Sequence, residues 1–245
     1  MDRAIYTAMS AANAALNRQA VTANNLANSS TTGFRAQLAA FRSVPIEGET
    51  HATRALVAES TPYHDNSMGP INHTGRSLDV ALPQGGWLAV AMADGQEAYT
   101  RNGAIQVDSE GALSINGFPL MGDGAPLTVP PQSAVTIAPD GTLTALGAGD
   151  DPTAVTPIGR IKLAQAEMQS LLHGDDGLFH PAGGGALAAD EAMRLSPEAL
   201  EGSNVSPVKS MTEMIATARS FDMNMKTIRT ADENAKQANQ LLSVS

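Results

Sequence analysis

The hydrophobic period of this chain changes twice along its length, and that double change limits what the chain can fold into. Near the start, Ile5, Met9, Ala12, Leu16, Gln19, Ala23 and Leu26 recur at alternating steps of four and three. Near the end, Val208, Met211, Ile215, Ala218, Phe221, Met225, Ile228, Ala235, Ala238 and Leu242 line a second stripe. Such spacing puts the apolar residues on one face of a helix. It predicts a helix over 3–28 and another over 207–242, with Ser206 as N-cap and Pro207 as first helical residue of the second. Both stripes are rich in Ala and Met and therefore thin. A thin stripe suits close contact between helices better than docking on a bulky core. The ends read as helices that polymerise, poorly ordered until a partner covers them.

Between the two stripes the period becomes that of strands. Residues 36–75 contain Pro45, Gly48, Pro62, Gly69 and Pro70 and few apolar side chains. They read as an extended connector with one short strand at Arg54–Glu59. From Leu78 onward, short apolar runs alternate with Asp94-Gly95, Asn102-Gly103, Glu110-Gly111, Asn116-Gly117 and Asp140-Gly141. Pairs of this kind favour hairpins, because type I′ turns need positive φ at both central residues. Strands are expected at Trp87–Met92, Glu97–Arg101, Ala104–Val107, Ala112–Ile115, Val135–Ile137, Leu143–Ala145 and Ile158–Ala164. No crossover helix is visible between 78 and 190, so the sheet is expected to be mainly antiparallel. Residues 181–191 read as a flexible loop. The fold class is α+β: long N- and C-terminal helices forming a coiled-coil layer, and a central antiparallel β-domain. The expected divisions are 1–35, 36–75, 76–195 and 196–245.

The net charge is −10, and the acidic excess lies in the middle. That balance argues against a nucleic-acid partner. There are no cysteines, so disulfides and thiolate metal sites are excluded. No cleavable signal peptide is visible, and no stretch approaches the roughly 20 apolar residues of a membrane span. His51, His64, His73, His173 and His180 lack helical metal-ligand spacing. Asp175-Asp176-Gly177 and Asp150-Asp151 do not open a calcium loop and read as turns. Gly183-Gly184-Gly185 lacks the Lys-Ser/Thr of a phosphate loop. No catalytic, cofactor or metal residue is assigned.

Three segments carry a resemblance. Asn24-Asn25-Leu26-Ala27-Asn28, followed by Thr31, Gly33, Phe34 and Arg35, resembles the N-terminal signature of bacterial flagellar rod and hook proteins. Leu200-Glu201-Gly202-Ser203-Asn204-Val205 resembles the C-terminal one. Leu78–Ala81, Trp87–Val90 and Tyr99-Thr100-Arg101-Asn102-Gly103 are similar to the family's β-domain. Within the family, the opening Met1–Met9 looks like a proximal-rod subunit; a distal-rod subunit is the alternative, and a peptidoglycan-acting enzyme the alternative from another class. The resemblance implies export by the flagellar type III apparatus, assembly in the periplasm with copies of itself and other rod proteins, and a shaft that transmits torque. The subunit interface is expected to use Ile5, Met9, Leu16, Asn24, Asn25, Leu26, Asn28, Gly33 and Phe34 from the first segment. From the last it takes Asn204, Val205, Met211, Ile215, Phe221, Met225, Ile228 and Leu242.

Overall fold

A computed structural model describes residues 2–45, 55–147, 151 and 155–243. The two terminal stripes are helical. Helix α1 is Asp2–Ala27 and helix α2 is Pro207–Ser243. The Ser206 carbonyl accepts the Ser210 N–H at 3.0 Å, which puts Ser206 at the start of α2 as expected. The chain forms two compact units. One holds 1–29, 36–65 and 205–245; the other holds 30–35 and 66–204.

In the first unit α1 and α2 pack against each other. An open groove between them is lined by Ala15, Thr22 and Asn25 on α1 and by Glu213, Thr217 and Ser220 on α2. The late turns of α1 therefore meet the early turns of α2, and the pair is antiparallel. The buried seam overlaps the anticipated stripe only in part, at Ala12. It consists of Ala8, Ala12, Ala15 and Thr22, with Ser210 and Thr217 opposite. These are smaller residues, and they let the backbones approach more closely than Met9 or Leu16 would.

Residues 37–64 differ from the expected connector. Gln37–Pro45 and Ala55–His64 form a long antiparallel hairpin, with a register shift between Leu38 and Ala40. The expected strand at Arg54–Glu59 is its second arm, longer than anticipated; Arg54, Gly48 and His51 lie outside the described residues. The hairpin gains its partner from α1. The Ser10 hydroxyl donates to the Val57 carbonyl and accepts the Val57 N–H, both at 3.1 Å. The Arg18 guanidinium lies 4.9 Å from the centre of the Phe41 ring. These strands are thus ordered by backbone pairing and helix contacts that their own pattern does not reveal.

The second unit is the β-rich one. Its largest sheet runs in the order Leu163–Gln165, Gly86–Ala91, Glu97–Thr100, Phe179–Pro181, Leu171–His173. One three-stranded sheet contains Ala134–Ile137, Thr142–Leu146 and Thr156–Arg160, and another Gln106–Val107, Leu113–Ile115 and Phe118–Pro119. Every pairing among these strands is antiparallel. Gly86–Ala91 is buried on both faces. Leu88 and Val90 join a core with Ile105, Leu113, Ile137 and Leu143, whereas Trp87 and Ala89 join a second cluster with Tyr99, Met168 and Phe179.

Three local expectations change. The run Ile158–Ala164 is split, with Thr156–Arg160 in a three-stranded sheet and Leu163–Gln165 at the edge of the five-stranded one. The Ile161 and Lys162 amides leave for the Gly141 and Met121 carbonyls, both at 2.9 Å, which turns the chain between them. Among the turn pairs, only Asn116-Gly117 has two positive φ values, 52° and 86°. Asn102-Gly103 is not a turn: a Cβ on Gly103 would lie 1.7 Å from the Val80 carbonyl oxygen, so the glycine serves close backbone approach. Residues 181–191 are held down. The Leu187 N–H donates to the Tyr99 hydroxyl at 2.6 Å, and the Asp190 N–H to the Leu163 carbonyl at 2.8 Å. This segment covers the edge strand that would otherwise be open for pairing.

Candidate assembly surface and its anchoring cluster

The faces of α1 and α2 turned away from their shared seam carry large apolar side chains, on α2 among charged ones such as Lys209 and Glu213. Leu16 is 51% exposed and Ile215 55%; Tyr6, Met9, Val208, Met211 and Met223 are also exposed. The seam, for its part, includes the polar Thr22, Ser210 and Thr217. Of the expected interface residues, Met9, Leu16, Met211 and Ile215 are open to a partner. Ile5, Leu26, Phe221, Met225, Ile228 and Val205 are half-buried. Leu242 falls in α2, but its side chain lies outside the described residues.

The asparagines have work within the chain. Asn25 mimics a strand: its Nδ2 donates to the Gln37 carbonyl and its Oδ1 accepts the Gln37 N–H, both at 2.8 Å. Asn28 folds back on Asn24, donating to its carbonyl at 3.0 Å as α1 ends. Asn204 donates to the Ser67 carbonyl at 2.9 Å.

The signature residues Gly33, Phe34, Arg35, Glu201 and Asn204 converge in the β-rich unit on one buried ion cluster. Arg35, Arg101 and Glu201 are only 2%, 3% and 1% exposed. Glu201 divides its two oxygens. Oε1 accepts from an Arg35 terminal nitrogen at 2.8 Å and from the Gly69 N–H at 2.9 Å. Oε2 accepts from Arg101 Nε at 2.9 Å and from its terminal nitrogen at 2.6 Å, a fork on one oxygen. Arg101 also donates to the carbonyls of Leu82, Pro83 and Gly86, and its guanidinium lies 5.7 Å from the Trp87 ring centre. Arg35 donates to the Ser67 carbonyl. The backbone closes the cluster: Glu201 C=O accepts the Gly33 N–H at 2.8 Å, and Phe34 C=O accepts the Asn204 N–H at 3.3 Å. Gly33, at φ 70°, sits where a Cβ would be 2.5 Å from the Arg101 carbonyl carbon. At Gly69 a Cβ would be 2.0 Å from the Gly202 carbonyl oxygen. Desolvating each ion costs several kcal/mol, and removing one partner of such a group typically costs about 3–5 kcal/mol. Sequence reasoning did not assign Arg35, Arg101 or Glu201. The available signal was that each of the three motif segments contains a charged residue that could take part: Arg35, Arg101 and Glu201.

The acidic turns serve the backbone. The Asp94, Asp108 and Asp140 carboxylates accept the N–H two residues ahead, at 2.9, 2.8 and 3.0 Å. Thr142 holds the Asp140 carboxyl below its usual range. Partial burial would raise the Asp176 carboxyl, but the Leu178 N–H and His180 outweigh it and leave it lowered. Among the described residues no three His, Asp or Glu side chains gather as metal ligands, and no helix is long and apolar enough to cross a membrane.

A helical unit built from both chain ends, a β-rich unit, and a buried cluster that draws one charged residue from each motif segment are what the resemblance to axial proteins of the bacterial flagellum implies, and the comparisons agree. Residues 5–35 match the family model described as flagella basal body rod protein. Residues 82–145 match the flagellar hook protein FlgE/F/G D1 domain, and 196–241 the flagellar basal body rod FlgEFG protein C-terminal region. The chain is 56% identical over 251 residues to the flagellar basal-body rod protein FlgF of Salmonella typhimurium, with all of both chains covered. It is 53% identical, with the same coverage, to FlgF of Escherichia coli K12. Identity to the rod protein FlgG of Agrobacterium fabrum is 31% over 259 residues, covering 95% of this chain and 97% of that one. The chain belongs to the flagellar basal-body rod protein family, on its FlgF-like side, and is a structural subunit of the basal-body rod.

Proposed function

We propose that this subunit builds the proximal rod by docking the outward faces of α1 and α2 against further copies of itself and against other rod proteins. The observation that carries the reading is a set of large apolar side chains left exposed on the helix pair: Tyr6, Met9 and Leu16 on α1, and Val208, Met211 and Ile215 on α2. In assembly the helices form a coiled-coil layer, with 76–195 as the outward β-domain. Contacts between unlike faces that do not close into a ring generate a helical tube, the shape a drive shaft needs. The subunit acts mechanically, transmitting torque, and needs no catalytic residue, cofactor, metal or nucleic acid. It reaches the periplasm through the flagellar type III export apparatus without a cleaved signal.

Leu16→Asp and Ile215→Asp test this. Both positions are exposed in the single subunit, so each change is expected to leave its fold within about 0.5 kcal/mol of the parent. Between copies, each would bury an unpaired carboxylate at a cost of several kcal/mol, repeated in every subunit. The expected outcome is a secreted, folded protein that does not assemble, in cells that do not swim. Normal swimming with either variant would sink the docking surface.

A further inference from the structure

We propose that Glu201 is a positioning residue for assembly. Through Arg35 and Arg101 it sets the register between the segment that leaves α1 and the segment that leads into α2. The inference rests on the docking role of the two helices.

The first consideration is general: stability does not require a cluster of this kind. Apolar side chains of similar volume often replace a buried ion group without loss. The second is directional. An apolar contact tolerates sliding, but Glu201 is bound separately on each oxygen, by Arg35 and Gly69 on one and by Arg101 on the other. Its carbonyl holds Gly33 as well. A shift of either segment along the other would break charge-assisted bonds inside a site closed to water. The third is location. Gly33 lies six residues beyond the end of α1, and Glu201 six residues before the start of α2. The two segments run on directly into the chain's two polymerising helices. In a filament every subunit must present the same surface, so a loose register is repeated in each copy.

Two variants separate positioning from stability. The first is the apolar replacement Arg35→Met, Arg101→Met and Glu201→Leu in one chain; the second is Glu201→Gln alone. Each replaces the native copy in flagellated cells, and each is purified for thermal unfolding and amide exchange. The triple variant is expected to unfold at or above the parent's temperature while rod assembly falls by about tenfold or more. With Glu201→Gln, exchange at Gly33 and Gly69 is expected to rise by about tenfold, exchange at Leu88 and Val90 to stay as in the parent, and assembly to fall. Parental assembly by either folded variant overturns the proposal. If neither variant folds, the cluster is a stability element and the proposal is equally overturned. Failure of the docking reading looks different: Leu16→Asp and Ile215→Asp would then assemble normally, whatever the Glu201 variants do.

Discussion

Tyr99 shows how a single group can tie stability to pH. Its hydroxyl accepts the Leu187 N–H at 2.6 Å and donates to Glu97 Oε2 at 2.8 Å. Lys162 Nζ holds both Glu97 oxygens at 2.7 Å. Burial pushes the phenol pKa up, the Leu187 N–H opposes that, and Glu97 adds to the rise. The folded state therefore prefers neutral Tyr99 more strongly than the unfolded chain does. That contribution is fully present below the unfolded-state tyrosine pKa of about 10 and is lost as pH rises above it. Parent stability is expected to fall more steeply above this point than that of Tyr99→Phe, in denaturant titrations across alkaline pH. The phenolate absorbance that distinguishes parent from variant is expected only as the β-rich unit unfolds. A Tyr99 phenolate in the folded protein would contradict the assignment.

At the scale of elements, the helix pair combines great length with a thin seam. At 26 and 37 residues, α1 and α2 extend roughly 39 and 55 Å at 1.5 Å per residue. Yet Ala8, Ala12, Ala15, Thr22, Ser210 and Thr217 bury little apolar surface. Close approach is what this seam supplies, so enlarging it is expected to do harm. Ala12→Leu is expected to cost about 1–3 kcal/mol through overpacking, whereas Leu16→Asp leaves the same pair intact. Amide exchange along α1 measures both, and protection of Ala12→Leu equal to the parent's would show that the seam is elsewhere. The sequence stripe located these helices well and shares Ala12 with the packed face of α1, but it named Met9 and Leu16 where Ala8 and Ala15 are buried. The small residues Ala8, Ala12 and Ala15 carry a weak hydrophobic signal, and their value lies in the distance they permit.

At the scale of the whole molecule, the two compact units have different means of stability. The β-rich unit buries large side chains, among them Trp87, Tyr99, Leu88, Ile105, Leu113 and Leu143. The helical unit has a seam of Ala, Ser and Thr. Stabilisation by burial scales with apolar area, at roughly 25 cal/mol per Å². Calorimetry of the monomer is therefore expected to resolve two transitions, the helical signal melting first and the β signal later. A single transition whose calorimetric and van't Hoff enthalpies agree would refute this.

Periodicity is a property of the chain itself, and it determined the helices, most strands of the middle, the Ser206–Pro207 start of α2 and the antiparallel class. The motif segments, read as a resemblance, identified the family. What the tertiary structure decided is non-local. The strands Gln37–Pro45 and Ala55–His64 paired because Ser10, Arg18 and Asn25 supply their partners. The run Ile158–Ala164 was divided because two sheets compete for its backbone. Residues 181–191 were ordered because Tyr99 and Leu163 hold them. Arg35, Arg101 and Glu201 are far apart along the chain, and only folding brings both guanidinium groups within 2.9 Å of the Glu201 carboxylate. A period can be read from neighbours in sequence, but an ion cluster exists only once distant segments share a buried site where each charge needs the others.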